Sequence, residues 1–279
     1  MSEATADSVE AWSGKDRGDE NFPVGVLVSR RLRRHVHAFY AFARNADDIA
    51  DHASLTPGDK LARLDAMEAV LLGRSETGSP SAARLRTSLA ETAVTARHAI
   101  DLLSAFRRDA TKRRYASWDE LYDYCRYSAM PVGRHVLDLH GESRATYRPS
   151  DALCTALQVL NHLQDCAGDL ATLDRCYVPA DLLAAHGAEV ADLRRPATTP
   201  ALRAVFDALL DRVGVLNRDA AELPRRTRDR RLRLETAVIV SLSRRLAARL
   251  TRGDPLAERV RLTRSDAARA VTAALRFLP

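Results

Sequence analysis

Asn161-His162-Leu163-Gln164-Asp165-Cys166-Ala167-Gly168-Asp169 closes a stretch whose apolar residues recur as on a helix face. Leu153, Leu157, Leu160 and Leu163 follow one another at intervals of three or four, which is the period of an α-helix. Asn161, Asp165 and Asp169 are four apart and share a face of their own, with Gln164 beside them. Packing alone does not account for two carboxylates and two amides on so apolar a helix, because buried polar groups need partners. The helix is predicted to open at Ser150 and to run to about Leu173.

Upstream, Arg44-Asn45-Ala46-Asp47-Asp48-Ile49-Ala50-Asp51 repeats the arrangement. Leu32, Val36, Phe39, Tyr40 and Ala43 mark a helix from Ser29 to about Ala53. Tyr40, Arg44, Asp47 and Asp51 fall on one side of it. Three carboxylates so close together repel unless a cation sits between them. Mg²⁺ suits such a place, because it takes oxygen ligands and shares its shell with waters and substrate phosphates. Each segment alone could be a solvated acidic face. Two acidic helices facing each other across a bundle would instead hold several Mg²⁺ ions and grip a diphosphate.

The rest of the chain is predicted to be helical too. Thr56-Pro57 supplies an N-cap and a first-turn proline for a helix that Gly73 ends. Residues 75–80 form a loop, and 82–112 read as one or two helices. Trp118 to about Gly141 reads as one helix, entered at Ser117 with Glu120 at capping-box spacing. After a polar connector over 186–200, helices are expected at about 201–223, 229–252 and 264–277. Period-two alternation is almost absent. The fold class is therefore all-α, a single helical bundle around a central apolar cavity. Residues 1–20 are charged, small and aperiodic and are expected to form a flexible tail ahead of a domain over 21–279.

Composition removes other classes. Apolar residues make up 46% of the 279, enough for a core, so wholesale disorder is excluded. No run approaches the length of a membrane span, and the first twenty residues hold no apolar signal core. The expected place is the cytoplasm, with peripheral contact at the inner face of the membrane. The net charge is +6, and all basic residues except Lys15, Lys60 and Lys112 are arginine. A basic chain favours anionic partners. A nucleic-acid binder using Arg225–Arg233 and Arg244–Arg252 would give the two acidic helices no role, so nucleic acid is not expected as a partner. Cys125, Cys154, Cys166 and Cys176 form no CxxC pair and read as reduced core residues.

Three stretches together resemble the squalene/phytoene synthase family. The first runs from Asn21-Phe22-Pro23 through Tyr40-Ala41-Phe42-Ala43-Arg44 to the first Asp motif. The second is Tyr124-Cys125-Arg126-Tyr127-Ser128-Ala129-Met130-Pro131-Val132-Gly133-Arg134. The third is Gln164-Asp165 through Asp169, with the following Arg175-Cys176-Tyr177-Val178-Pro179. The resemblance spans about Asn21 to Arg249 and implies the isoprenoid synthase fold. It implies ionisation of a prenyl diphosphate with Mg²⁺ held by Asp47, Asp48, Asp51, Asp165 and Asp169. Tyr40, Arg44, Ser128, Asn161, Gln164, Arg175 and Tyr177 would bind the substrate and its diphosphate. Tyr124 would steady a carbocation with its ring.

Within the family, Ser128-Ala129-x-Pro131-Val132-Gly133-Arg134 and Gln164 resemble the bacterial hydroxysqualene synthase branch of hopanoid pathways. That implies presqualene diphosphate as substrate, with neighbouring pathway enzymes as partners. Enzymes that condense two prenyl diphosphates head to head would use the same aspartates, and a catalytically silent paralogue would keep only the fold. Two departures stand out. Met130 replaces an Asn usual in the branch, and Leu170–Asp174 lacks the Lys and Gly of the family's turn before Tyr-x-Pro.

Overall fold

The computed structural model describes residues 8–10 and 28–278. Most of the expected tail and the Asn21-Phe22-Pro23 motif lie outside the described residues. The described residues are helical, with no strand among them, and they form two compact units, one holding Ser29–Lys112 with residues 8–10 and the other Arg113 onward with Val28. The all-α expectation is met.

The first unit holds four helices: α1 (Arg30–Asp51), α2 (Pro57–Leu71), α3 (Pro80–Thr92) and α4 (Arg97–Thr111). α1 packs on α3 and α4 and buries Val36, Phe39, Phe42, Ala46, Ile49 and Ala50. Thr56 and Asp59 close a reciprocal capping box at the start of α2, and Gly73, at φ +70°, turns the chain out of it. The Lys60 ammonium is buried and donates to the Ala50 carbonyl at 2.8 Å, fixing the end of α1. Ser8–Glu10 belongs to the expected flexible tail, yet it is tied to this unit. Glu10 accepts from Ser79 Oγ and from the Ser81 N–H, both at 2.7 Å, at the start of α3. The region 82–112 resolves into two helices.

The second unit holds α5 (Trp118–Ser128), α6 (Met130–Leu139), α7 (Tyr147–Leu173), α8 (Ala180–Ala185), α9 (Pro200–Ala220), α10 (Leu223–Arg226), α11 (Arg230–Arg252) and α12 (Arg264–Ala274). α7 is its axis and packs on α5, α6, α9 and α11. Leu153, Leu160, Leu163 and Leu170 are buried along it, each worth about 1.5–3 kcal/mol. Leu137 of α6, Leu223 of α10 and Leu232, Ile239 and Val240 of α11 complete a core cluster with Leu153. Gly133 lets α6 lie close to α7: a Cβ there would stand 2.4 Å from Ser150 Oγ and 2.7 Å from Cys154 Sγ.

Three local expectations are corrected. The single helix expected from Trp118 breaks at Ala129 (φ −121°, ψ −49°). Pro131 has no N–H to donate and its ring crowds the preceding turn, so α5 stops and α6 starts with the proline in its first turn. Ser117 caps α5 as expected, but the Glu120 carboxylate accepts from the Ala116 N–H at 2.6 Å, so the capping box is not closed on Ser117 itself. α7 opens at Tyr147, because a 3-10 turn over Arg144–Thr146, capped by Ser143, already sets its first turn; Ser150 lies buried inside the helix.

Candidate functional site

In the first unit, α1 brings its carboxylates together as its period requires. The Arg44 guanidinium bridges two of them, with Nη1 3.2 Å from Asp47 Oδ2 and Nη2 3.3 Å from Asp48 Oδ1. Asp48 is buried. Partial desolvation, with Asp51 beside it, pushes the Asp47 carboxyl above the usual carboxylate range despite Arg44, and Asp109 and Asp48 push the same way. Asp109, on α4, is 3% exposed and adds an acid that the sequence reading left out of the site. It follows Phe106 by three residues, so an acid at an apolar-face position was the available signal. Tyr40 sits on α1 one turn before Arg44 and is half-buried.

In the second unit, Asn161, Asp165 and Asp169 lie in sequence on α7, all half-buried. Arg259 Nη2 stands 3.3 Å from Asp165 Oδ1. Gln164 is buried, and its amide donates to the Val260 carbonyl at 2.6 Å. Gln164 and Asp165 thus both meet the segment that follows α11, and Arg259 is a neighbour that helix periodicity could not supply.

Tyr124, Tyr115, Tyr177 and His162 form one aromatic cluster. Ring centroids are 5.3 Å apart for Tyr115–Tyr124, 5.4 Å for Tyr115–Tyr177 and 5.5 Å for Tyr124–Tyr177. His162 lies 3.6 Å from Tyr177, ring on ring. Its Nε2 accepts from the Gln158 amide at 3.2 Å. Burial first, and then the Arg175 charge, lower His162 to about 3, so the imidazole is neutral. Arg175 is buried and donates to the Tyr177 hydroxyl at 3.2 Å. Ser128, one turn after Tyr124 on α5, has its Oγ buried without a hydrogen-bond partner among the described residues.

The turn that carries Arg175 is built without glycine. Asp174 adopts the left-handed conformation at φ +49°. Arg114 donates to both its carbonyl and its carboxylate, the latter at 2.6 Å. Arg113 donates to the Leu173 carbonyl at 3.0 Å and accepts at its own carbonyl from the Cys176 N–H at 2.9 Å. Two adjacent arginines therefore hold what a glycine turn would otherwise allow.

Among the described residues, no three His, Cys, Asp or Glu side chains gather into a group that could hold a metal ion. Mg²⁺ does not require such a cage, since it commonly takes one or two carboxylates and completes its shell with water and phosphate oxygens. The all-oxygen donors of both helices, and the charge crowding around Asp47, fit that ion.

Known proteins resemble this chain along most of its length. The family described as Squalene/phytoene synthase matches residues 15–266. A hydroxysqualene synthase from Rhodopseudomonas palustris is 51% identical over 91% of this chain and 87% of its own length. A 15-cis-phytoene synthase from Paracoccus sp. is 29% identical over 96% of this chain and 89% of its own. The crystal structure of squalene synthase HpnC from Alicyclobacillus acidocaldarius superposes with a TM-score of 0.73 at 35% identity, covering 81% of this chain and 86% of that one. The fold, the two acidic helices and these matches along most of its length place the chain in the squalene/phytoene synthase family.

Proposed function

We propose that the chain is a hydroxysqualene synthase, which converts presqualene diphosphate and water to hydroxysqualene and diphosphate. One observation carries the reading. Nearly full-length identity is 51% to a hydroxysqualene synthase and 29% to a phytoene-forming relative. Asp47, Asp48 and Asp51 on α1, and Asp165 and Asp169 on α7, would hold Mg²⁺. Bound there, the ion would draw off negative charge as the C–O bond to diphosphate breaks.

The chain's own residues do the rest. Arg44 and Arg175 pair with diphosphate oxygens, for which a guanidinium offers parallel donors. Tyr40, Ser128, Asn161 and Gln164 supply further polar contacts to the substrate. Ionisation leaves a cyclopropylcarbinyl cation. The face of Tyr124, packed among Tyr115 and Tyr177, attracts that positive charge. A neutral His162 in the same cluster adds no opposing charge. Apolar helix walls exclude stray water until the skeleton has rearranged. One water then forms the new C–O bond and gives up a proton to solvent. No hydride is required.

The purified protein is to be incubated with Mg²⁺ and, separately, presqualene, farnesyl and geranylgeranyl diphosphate, with products read by mass spectrometry. Hydroxysqualene should form from presqualene diphosphate without a nicotinamide, and its oxygen should carry label from ¹⁸O-water. Presqualene diphosphate or squalene made from farnesyl diphosphate alone would replace this reading with a condensing synthase. Consumption of geranylgeranyl diphosphate only would point to phytoene.

A further inference from the structure

Among the described residues, four large apolar side chains are at least half exposed: Val215, Val271, Leu275 and Leu278, at 50–52%. Three of the four lie at the end of the chain. Val271 on α12 and Leu275, which opens the 3-10 turn continuing it, are four apart and share a side, and Leu278 follows that turn in extended backbone as the next exposed apolar side chain, so the three form one apolar patch, or stripe, at this end of α12. An adjoining side of α12, with Asp266, Ala270 and Ala274, is buried, and α12 packs on α11. The stripe therefore faces outward.

Its surroundings are positive. Arg261, Arg264, Arg269 and Arg276 are all exposed. Arg269 and Arg276 are two turns apart on the flank of α12 that lies beyond the stripe from its buried residues, while Arg264 stands at the head of the stripe. The one acid between Arg259 and Leu278 is Asp266, which is buried and bound to Arg249 at 2.6 Å.

We propose that Val271, Leu275 and Leu278, edged by Arg264, Arg269 and Arg276, dock the chain on an anionic lipid surface with α12 in the plane of the interface. An outward apolar stripe bordered by arginine is what a helix lying in a headgroup layer presents. Arginine stems follow the apolar face while their guanidinium groups stay with the lipid phosphates. A second copy seated on the same stripe by two-fold symmetry would bring two sets of these arginines together. A nucleic acid would meet the arginines but leave the apolar stripe unused. No helix of the described residues is long and apolar enough to cross a membrane, so the contact is peripheral. The proposal gains its purpose from the proposed function, whose C30 alcohol belongs in lipid, but its test is independent of turnover.

The full chain is to be sedimented with vesicles of phosphatidylcholine, with and without phosphatidylglycerol. It should bind the anionic vesicles and lose that binding as salt rises. Arg269→Gln with Arg276→Gln should weaken binding on the order of ten-fold or more. Val271→Ser, Leu275→Ser and Leu278→Ser together should weaken it comparably, with circular dichroism melts unchanged. The arginine pair tests the surface even where the apolar exchanges disturb the helix. Failure of the unaltered chain to bind anionic vesicles overturns the proposal, as does variant binding equal to its own. A dimer by light scattering that the triple serine variant abolishes, without vesicle binding, assigns the stripe to a second copy. Turnover in detergent should be the same in all variants, and its absence throughout would count against the proposed function while the vesicle result still decides docking.

Discussion

The rings of His162 and Tyr177 lie face to face, 3.6 Å between centroids and 15° between planes. The contact joins α7 to the turn that carries Arg175, and so couples the acidic helix to a buried guanidinium. An imidazolium here would face that guanidinium inside an apolar cluster, which is why the proton is held off.

His162 should therefore remain neutral through the working range. Its folded value is about 3 against 6.5 for the free side chain. Between those values the unfolded chain takes up the proton and the folded chain does not. This group thus makes stability rise with pH across that window and contributes no further change above it. His162→Phe should keep the ring contact and flatten the acid limb of a denaturation–pH curve, by on the order of a few kcal/mol. An NMR titration of the His162 ring with an inflection near its ordinary value would contradict the buried stack.

Asp48→Asn and Asp165→Asn should each slow diphosphate release by on the order of 10²-fold or more, since each removes a ligand that acts on the leaving group. Far-ultraviolet circular dichroism should be unchanged, because both exchanges keep the side-chain volume. Near-normal turnover in either variant, together with indifference to EDTA, would remove the metal role of both rows.

Gly133→Ala should destabilise the second unit. The added methyl meets Ser150 Oγ and Cys154 Sγ well inside contact distance, and overpacking of this kind costs about 1–3 kcal/mol. Adding Ser150→Ala in the same chain should recover part of the loss. A thermal midpoint unmoved by Gly133→Ala would show that α6 and α7 can separate without penalty.

Helix periodicity made the carboxylate rows legible, since Asp47, Asp48, Asp51, Asp165 and Asp169 are fixed on their faces by local geometry alone. It carried less where partners come from afar. Arg259 reaches Asp165 only because the chain returns past α7 after α11. Asp109 stands outside both rows, in the Phe106–Tyr115 segment that resembles the hydroxysqualene synthase branch, and only packing sets it near Asp47. His162 carries no local sign of its ring partner, which comes from a separate turn. The break at Ala129 was hidden because apolar spacing continues across it, even though Pro131 marked the place.

The Arg114–Asp174 clamp has a consequence for inheritance. With glycine at 174 the turn closes through backbone freedom, and residue 114 is at liberty to drift. With aspartate there, the same turn depends on a guanidinium sixty residues earlier in the chain. The two positions then form an epistatic pair, in which loss of Arg114 is tolerated only once glycine stands at 174. Arg114→Ala should loosen the turn and impair catalysis through Arg175 in this chain, and do so far less once Asp174→Gly is present. A double-mutant cycle with no coupling would mean the two sites evolve separately. Strong coupling would mean that relatives exchange this turn as a unit, arginine and aspartate together or glycine alone.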